Sequence, residues 1–471
     1  GAGGGGAPPG GGGEVGTGGP HDWGTDAQML GAAALAVATG LLVSLRAAPH
    51  GPGSVERRRA GILLAACAAV LAATGGMLLL LLRGSGPLLG SAWNLAVVAR
   101  LAVLVVAVAI AWARWRRRVA TGVALVGVLA VTVLGVVAGR WVPTRFLERE
   151  DAPVEALIGY ELPDPVSIGA LALDWRFNVL FGTAALLMAV AYLLGVRRLT
   201  GRGDAWAPGR TTAWLLGCVL LLAMTSSGVG RYSPAVFSVH MISHMTLNML
   251  VPVLLAMGGP VTLALRALRP AGRDNPPGVR EWIVEAMSSR VLARLTHPLP
   301  VLALFAGSNF AFYLTGLFEL ALRYHWGHQL MNLHFLLVGY LFFWPIVGVD
   351  PAPSRLPHVG RLAVLLAAMP FHAFFGVTLM STATLLGGGF YRLLDLPWMA
   401  DLLADQRVGG GIAWATGELP MLLVVLVLLV GWSRDDAREA ARHDRRADAD
   451  GEADLAAYNA MLARLSGAEG G

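Results

Sequence analysis

Residues 92–113 read AWNLAVVARLAVLVVAVAIAWA, an apolar run of the length that carries a helix across the hydrocarbon core of a bilayer, about 20 residues. Lipid offers the backbone no hydrogen-bond partners, so such a run must satisfy its own N–H and C=O groups, as a helix does. Similar runs recur on both sides of it. Candidate spans fall at approximately 27–46, 60–82, 92–113, 119–138, 175–195, 210–228, 235–257, 298–320, 328–349, 359–385 and 409–432. The composition agrees: of 471 residues, 55% are hydrophobic and 14% charged, with a mean hydropathy of +0.61. Soluble domains carry about 25% charged residues. The expectation is an all-α, polytopic membrane helical bundle of about 11 transmembrane helices, four before residue 139 and seven after residue 174.

The net charge is +6 and no lysine occurs, so every basic side chain is arginine. A GC-rich coding sequence accounts for that bias more simply than phosphate or lipid-headgroup binding. The arginines cluster in alternate loops: Arg46 with Arg57, Arg58 and Arg59; Arg114, Arg116, Arg117 and Arg118; Arg197, Arg198, Arg202 and Arg210. The 258–297 loop adds Arg266, Arg269, Arg273, Arg280, Arg290 and Arg294. The opposite side holds the 139–174 loop with Glu148, Glu150, Asp151, Glu155, Glu161 and Asp164. Basic loops stay cytoplasmic, which places the N-terminus outside and the C-terminus inside, in agreement with the arginine-rich tail from Arg434 to Arg446. This is a topology signal in a cell membrane and not a nucleic-acid surface.

Five regions follow. Residues 1–26 start in Gly and Pro, which build no core, and read as a disordered segment. Residues 27–140 form a four-helix membrane domain. Residues 141–174, with Pro143, Pro153, Pro163 and Pro165, form an extracytoplasmic linker loop. Residues 175–432 form a seven-helix domain, and 433–471 a cytoplasmic charged tail. Glu281–Leu295 reads as an amphipathic surface helix. The chain opens without Met and without a signal-peptide pattern, so the expectation is a start inside a longer protein. Cys67 and Cys218 lie in apolar runs with no C-x-x-C spacing. They read as apolar filler, with a soft copper(I) ligand as the alternative for Cys218.

Six histidines lie in the seven-helix half at its outward end: His240, His244, His325, His328, His334 and His372. Ionisable groups at membrane depth are costly and mark sites by default. In Phe237-Ser-Val-His-Met-Ile-Ser-His-Met-Thr-Leu-Asn248, His240 and His244 stack one helical turn apart and Asn248 continues their face. Met241, Met245 and Met249 make a neighbouring stripe. Imidazole with thioether suits copper, although each residue taken alone also fits plain packing. His328 and Asn332 share one face of the ninth span, Met331 and His334 another, with His325 and His328 at the helix start as rim ligands. His372 lies in the tenth span and Glu418 in the eleventh. Four helices at one depth predict a shared metal or cofactor site.

Three readings stand on these residues: a copper-handling protein that is not an enzyme; a b-type heme redox protein, since paired histidines also hold heme; and a copper or ion transporter with Glu418 and His372 as a relay. Hydrolase chemistry lacks its marks, because no nucleophile elbow, P-loop or H-E-x-x-H occurs.

Residues 232–264, with Ser-Val-His-Met-Ile-Ser-His-Met and Gly-Gly-Pro260, His328–Pro351, Phe371–Met380, and Asp405-Gln406 through Gly410, Trp414 and Glu418 resemble the bacterial CtaG membrane family over about residues 170–435. The resemblance implies assembly of a heme-copper cytochrome c oxidase through copper(I) supply, with His240, His244, His328, His334 and His372 as metal ligands. Met241, Met245, Asn248, His325 and Glu418 would support them. The implied partners are oxidase subunits and extracytoplasmic copper chaperones within membrane lipid. Leu88–Arg118, with Gly90-Ser-Ala-Trp-Asn and Ala111-Trp-Ala-Arg-Trp-Arg, is similar to later helices of CopD-type copper-resistance proteins, of which only part is present.

Overall fold

The computed structural model describes residues 21–47, 53–113, 118–148, 152–272, 275–354, 356–449 and 453–468. The Gly-rich residues 1–20, His50 and the topology markers Arg114, Arg116, Arg117, Glu150, Asp151 and Arg273 lie outside the described residues. Among the described residues every regular element is helical. Ten helices among the described residues are long and apolar enough to cross a membrane, or up to 11 if one bent pair counts as a span.

The first half packs four helices: α1 (His21–Ala47), α2 (Ser54–Leu82), α3 (Ala92–Ala113) and α4 (Arg118–Ala138). Each contacts the next, and α1 also meets α4. Small residues bring them together where lipid supplies no hydrophobic drive: a Cβ on Gly127 would lie 2.4 Å from the Ala107 Cβ. Helix α1 begins at His21, so residues 21–26 of the segment expected to be disordered are helical and the first span starts before residue 27. Asp22 in its first turn favours that start.

Among the described residues of the stretch expected as a linker, 141–174, short helices pack onto the second half. Its short helices Thr144–Glu148, Pro153–Ile158 and Ile168–Leu173 bring Ile158, Tyr160 and Leu162 into the core of the second half. The Tyr160 hydroxyl donates to the Arg231 carbonyl at 2.5 Å, and the Tyr232 hydroxyl donates to the Asp164 carbonyl at 3.2 Å. Arg231 pairs with Asp174. Burial, and secondarily the Asp22 carboxylate, push the Tyr160 phenol well above its ordinary range.

The second half runs α5 (Val179–Thr200), α6 (Pro208–Ser226), α7 (Phe237–Met245), a π-helical turn (Thr246–Leu250), α8 (Val251–Gly258) and α9 (Pro260–Ala267). Then follow α10 (Pro298–Tyr313), α11 (Leu317–Arg323), α12 (His325–Val347), α13 (His358–Ser381) and α14 (Leu402–Ala449). Helix α7 packs on α14, α8 on α6 and α12, and α13 on α14. Leu187, Val219, Leu422 and Leu426 stay exposed on the outer faces, where lipid would cover them.

Three local features depart from straight spans. Pro252 has no N–H for the Asn248 carbonyl and its ring clashes there, which accounts for the π-helical turn before it. Gly339 of α12 lets that carbonyl approach: a Cβ there would stand 2.0 Å from the Asn248 oxygen. The expected span 298–320 is bent, with α10 and α11 at 69°. Helix α14 continues unbroken into the expected tail, and a further helix follows at Ala453–Ala468.

The surface helix expected at 281–295 is two, Val279–Met287 and Arg290–Leu295. The Ser289 hydroxyl caps the second by accepting from the Val291 N–H. Glu281 accepts from the Ala271 and Gly278 N–H groups, and those bonds hold its carboxyl below the usual range. Arg59 of α2 donates to the Pro276 and Pro277 carbonyls beside it.

Candidate metal centre

Helix α7 positions His240 and His244 because its register sets both, one turn apart, on the face toward α12. Their rings stack with centroids 3.9 Å apart and planes 25° from parallel. Phe237, one turn earlier, stacks on His240 at 6.0 Å. The N-terminus of α7 is fixed from α14, where the Asp405 carboxylate accepts from the Ser238 N–H at 3.3 Å. Beside it, Gln406 is fully buried and holds the preceding loop, accepting from the Leu386 N–H and donating to the Thr384 carbonyl.

The third member comes from α12. One ring nitrogen from each of His240, His244 and His328 lies within 4.8 Å of the other two. His244 Nε2 and His328 Nε2 are 3.4 Å apart. His240 and His244 are completely buried. His328, expected at the rim, is thus a full member of the cluster. His240 Nε2 and the Tyr313 hydroxyl share a hydrogen bond of 2.9 Å. Tyr313 ends α10 and is itself 1% exposed; sequence reasoning missed it, since a tyrosine closing an apolar run reads as an interface residue.

The donor set fits a metal ion. The His244 Nδ1 atom is buried with no hydrogen-bond partner, and both side-chain polar atoms of Asn248, one turn on, are also unpartnered. Buried polar groups in native proteins nearly always have partners, so an ion or ordered water there would satisfy them. Three imidazole nitrogens about 2.0 Å from one ion stand roughly 3.5 Å apart. The cluster reaches that spacing by closing about an ångström.

The other expected ligands are not brought together with it. His334 packs between Phe312 and Phe335, ring centroids 5.0 and 5.4 Å away, six residues past His328 and therefore on a different face of α12. His372 donates from Nε2 to the Ala413 carbonyl at 2.7 Å and lies on Gly417, where a Cβ would meet its ring at 2.0 Å. Glu418, expected inside the bundle, is exposed. Its neighbour Gly417 occupies the inward face, and one residue of helical rotation carries Glu418 outward. Met241 and Met245 are core side chains, with Met241 against Gly409 of α14. Asn332 is buried with its Oδ1 unpartnered.

His325 lies at the mouth of the cluster. Its Nε2 donates to Asp26 Oδ1 of α1 at 3.0 Å, and Gln329 Nε2 donates to the same oxygen at 3.0 Å. Asp22, one turn earlier, takes a two-pronged pair from Arg176 at 2.8 and 2.6 Å. A cavity of about 60 Å³ is lined there by Asp22, Asp26, Arg176, His325, His328 and Gln329, among others. The sequence hid this because Asp22 and Asp26 precede the apolar run.

Uncharacterised proteins of Mycobacterium bovis, Mycobacterium tuberculosis and Mycobacterium leprae are each 50% identical to the chain over 323 residues, 68% of this chain and 49% of the relative. The chain thus spans about half the length of the curated relatives it matches. No solved structure matches it. The profile of the family described as cytochrome c oxidase caa3 assembly factor matches residues 190–435, leaving the four-helix half outside the match. Over the part that carries the histidine cluster, the chain belongs to the cytochrome c oxidase caa3 assembly factor family.

Proposed function

We propose that this chain is a non-enzymatic assembly factor of the bacterial plasma membrane that holds copper(I) at His240, His244 and His328 and passes it to subunits of a heme-copper oxidase. The observation that carries this reading is the cluster itself: three imidazoles from two buried helices, with ligand nitrogens within 4.8 Å, in a chain of an oxidase-assembly family. Imidazole suits copper. No carboxylate belongs to the three-residue cluster, so a bound ion keeps its own charge in a low-dielectric site, which favours a monovalent ion over a divalent one. Tyr313 orients His240, Asp405 anchors the helix that presents the pair, and Met241 and Met245 belong to the hydrophobic core of the same half. The arginine-rich loops support an orientation with the cluster's end of the bundle outside the cell, where copper chaperones and the oxidase's copper subunits would meet it.

The heme reading is weaker on geometry. The adjoining cavity of about 60 Å³ is small beside the 300–1,000 Å³ or so of pockets that enclose drug-sized ligands, and the facing-helix partners a heme would need, His334 and His372, are respectively packed between Phe312 and Phe335 and bonded to Ala413. The transporter reading loses its relay, because His372 is bound to Ala413 and Glu418 faces outward.

A host lacking its own factor and complemented with His244→Ala tests the proposal. Normal membrane level with lost oxidase copper and activity supports it; normal oxidase activity refutes it.

A further inference from the structure

We propose that Asp26 of α1 and His325 of α12 form a transfer station at which an incoming metal ion is first captured before it moves to the His240–His244–His328 cluster, so that the first half of the chain governs loading of the site. The inference rests on the reading of that cluster as a copper(I) site.

Asp26 is a carboxylate only 1% exposed, placed near the start of a membrane helix. Such a group is costly there and marks function by default. It is held in position from outside itself. The Arg176–Asp22 pair and the Trp23 indole, which donates to the Phe177 carbonyl at 2.8 Å, lock the first turn of α1 onto the second half. Asp26 meets His325 and Gln329 at 3.0 Å each. Both belong to the helix that carries His328, and His325 and His328 are three residues apart, on neighbouring positions of one face.

The station and His328 line the same cavity. The His325 side chain is 19% exposed and that of Asp26 2%, whereas His240 and His244 are 0% exposed. Exposure therefore falls from His325, and from the part-buried His328 beside it, to the fully buried His240 and His244. Gln329 Oε1 is buried without a partner, an acceptor that an ion or its water would satisfy.

The charges complement each other. The cluster is neutral imidazole, while Asp26 supplies the negative charge that offsets a monovalent cation leaving water. Capture replaces the Asp26–His325 hydrogen bond by two ligand bonds, with the His325 proton moving to Nδ1. Transfer then exchanges those ligands for His328 and its neighbours. The ion keeps its oxidation state throughout, and no electron is moved.

The test uses the full chain in nanodiscs and silver(I), a redox-inert stand-in for copper(I), delivered from a chromophoric chelator. Wild type, Asp26→Asn and His325→Ala are compared by stopped-flow loading and by equilibrium titration. Asp26→Asn keeps the shape of the side chain, and a melting curve checks each variant. The expected result is loading slowed at least about tenfold, the scale of electrostatic capture by a charged cleft, with final stoichiometry and affinity unchanged. Unchanged rates in both variants overturn the station while leaving the cluster reading intact, and so does lost stoichiometry. Wild type that takes up no silver(I) overturns the cluster reading and the station with it.

Discussion

His244 Nε2 and His328 Nε2 stand 3.4 Å apart although 84 residues separate them in the chain. Two neutral imidazoles at this distance share at most one proton. The arrangement leaves His244 Nδ1 without a partner in a fully buried ring. A metal ion between the helices gives the two Nε2 atoms a common partner and ties α7 to α12, with His244 Nδ1 then carrying the ring's proton.

Tyr313→Phe removes the hydroxyl that shares a hydrogen bond with His240 Nε2. Partners that orient a metal-bound histidine are worth about 10–100-fold in affinity. A chelator competition should show copper(I) affinity reduced by that factor, with the membrane level of the protein unchanged.

His372 and Gly417 should behave as packing residues. Gly417→Ala drives a methyl group into the His372 ring, and overpacking of this kind costs about 1–3 kcal/mol. A lower melting temperature in detergent with unchanged copper stoichiometry is expected. Equal loss of copper in His372→Ala and His244→Ala would place His372 back among the ligands.

Glu418→Gln changes an exposed side chain of α14. Copper stoichiometry and oxidase maturation should both match wild type within error. A loss comparable with that of His244→Ala would show that Glu418 turns inward during delivery.

Gly339→Ala places a methyl group 2.0 Å from the Asn248 carbonyl, so α12 must move away from the π-helical turn. Since α12 carries His328, both stability and copper affinity should fall, the former by about 1–3 kcal/mol. Intact affinity in this variant would mean that the site tolerates displacement of α12.

The membrane helices and the His240/His244 pair were legible because hydropathy and the 3.6-residue period are local properties. What sequence spacing does not carry is rotation and depth between helices. That is why His334, His372 and Glu418 looked level with the pair yet face Phe312, Ala413 and the outside, respectively. It is also why His328 looked peripheral. Bends were partly legible: Pro252 marks the π-helical turn, whereas the 69° break after Tyr313 lies in an apolar run with only Thr315 and Gly316 to signal it. The Asp26–His325 contact joins residues 299 apart, and no local pattern announces it.

The most direct test of the central claim is copper analysis with a visible spectrum on the detergent-purified chain, beside a His240→Ala/His244→Ala double variant. The account predicts copper bound to the wild type without a Soret band and lost from the double variant. A Soret band that depends on these histidines, or copper retained in the double variant, would contradict it.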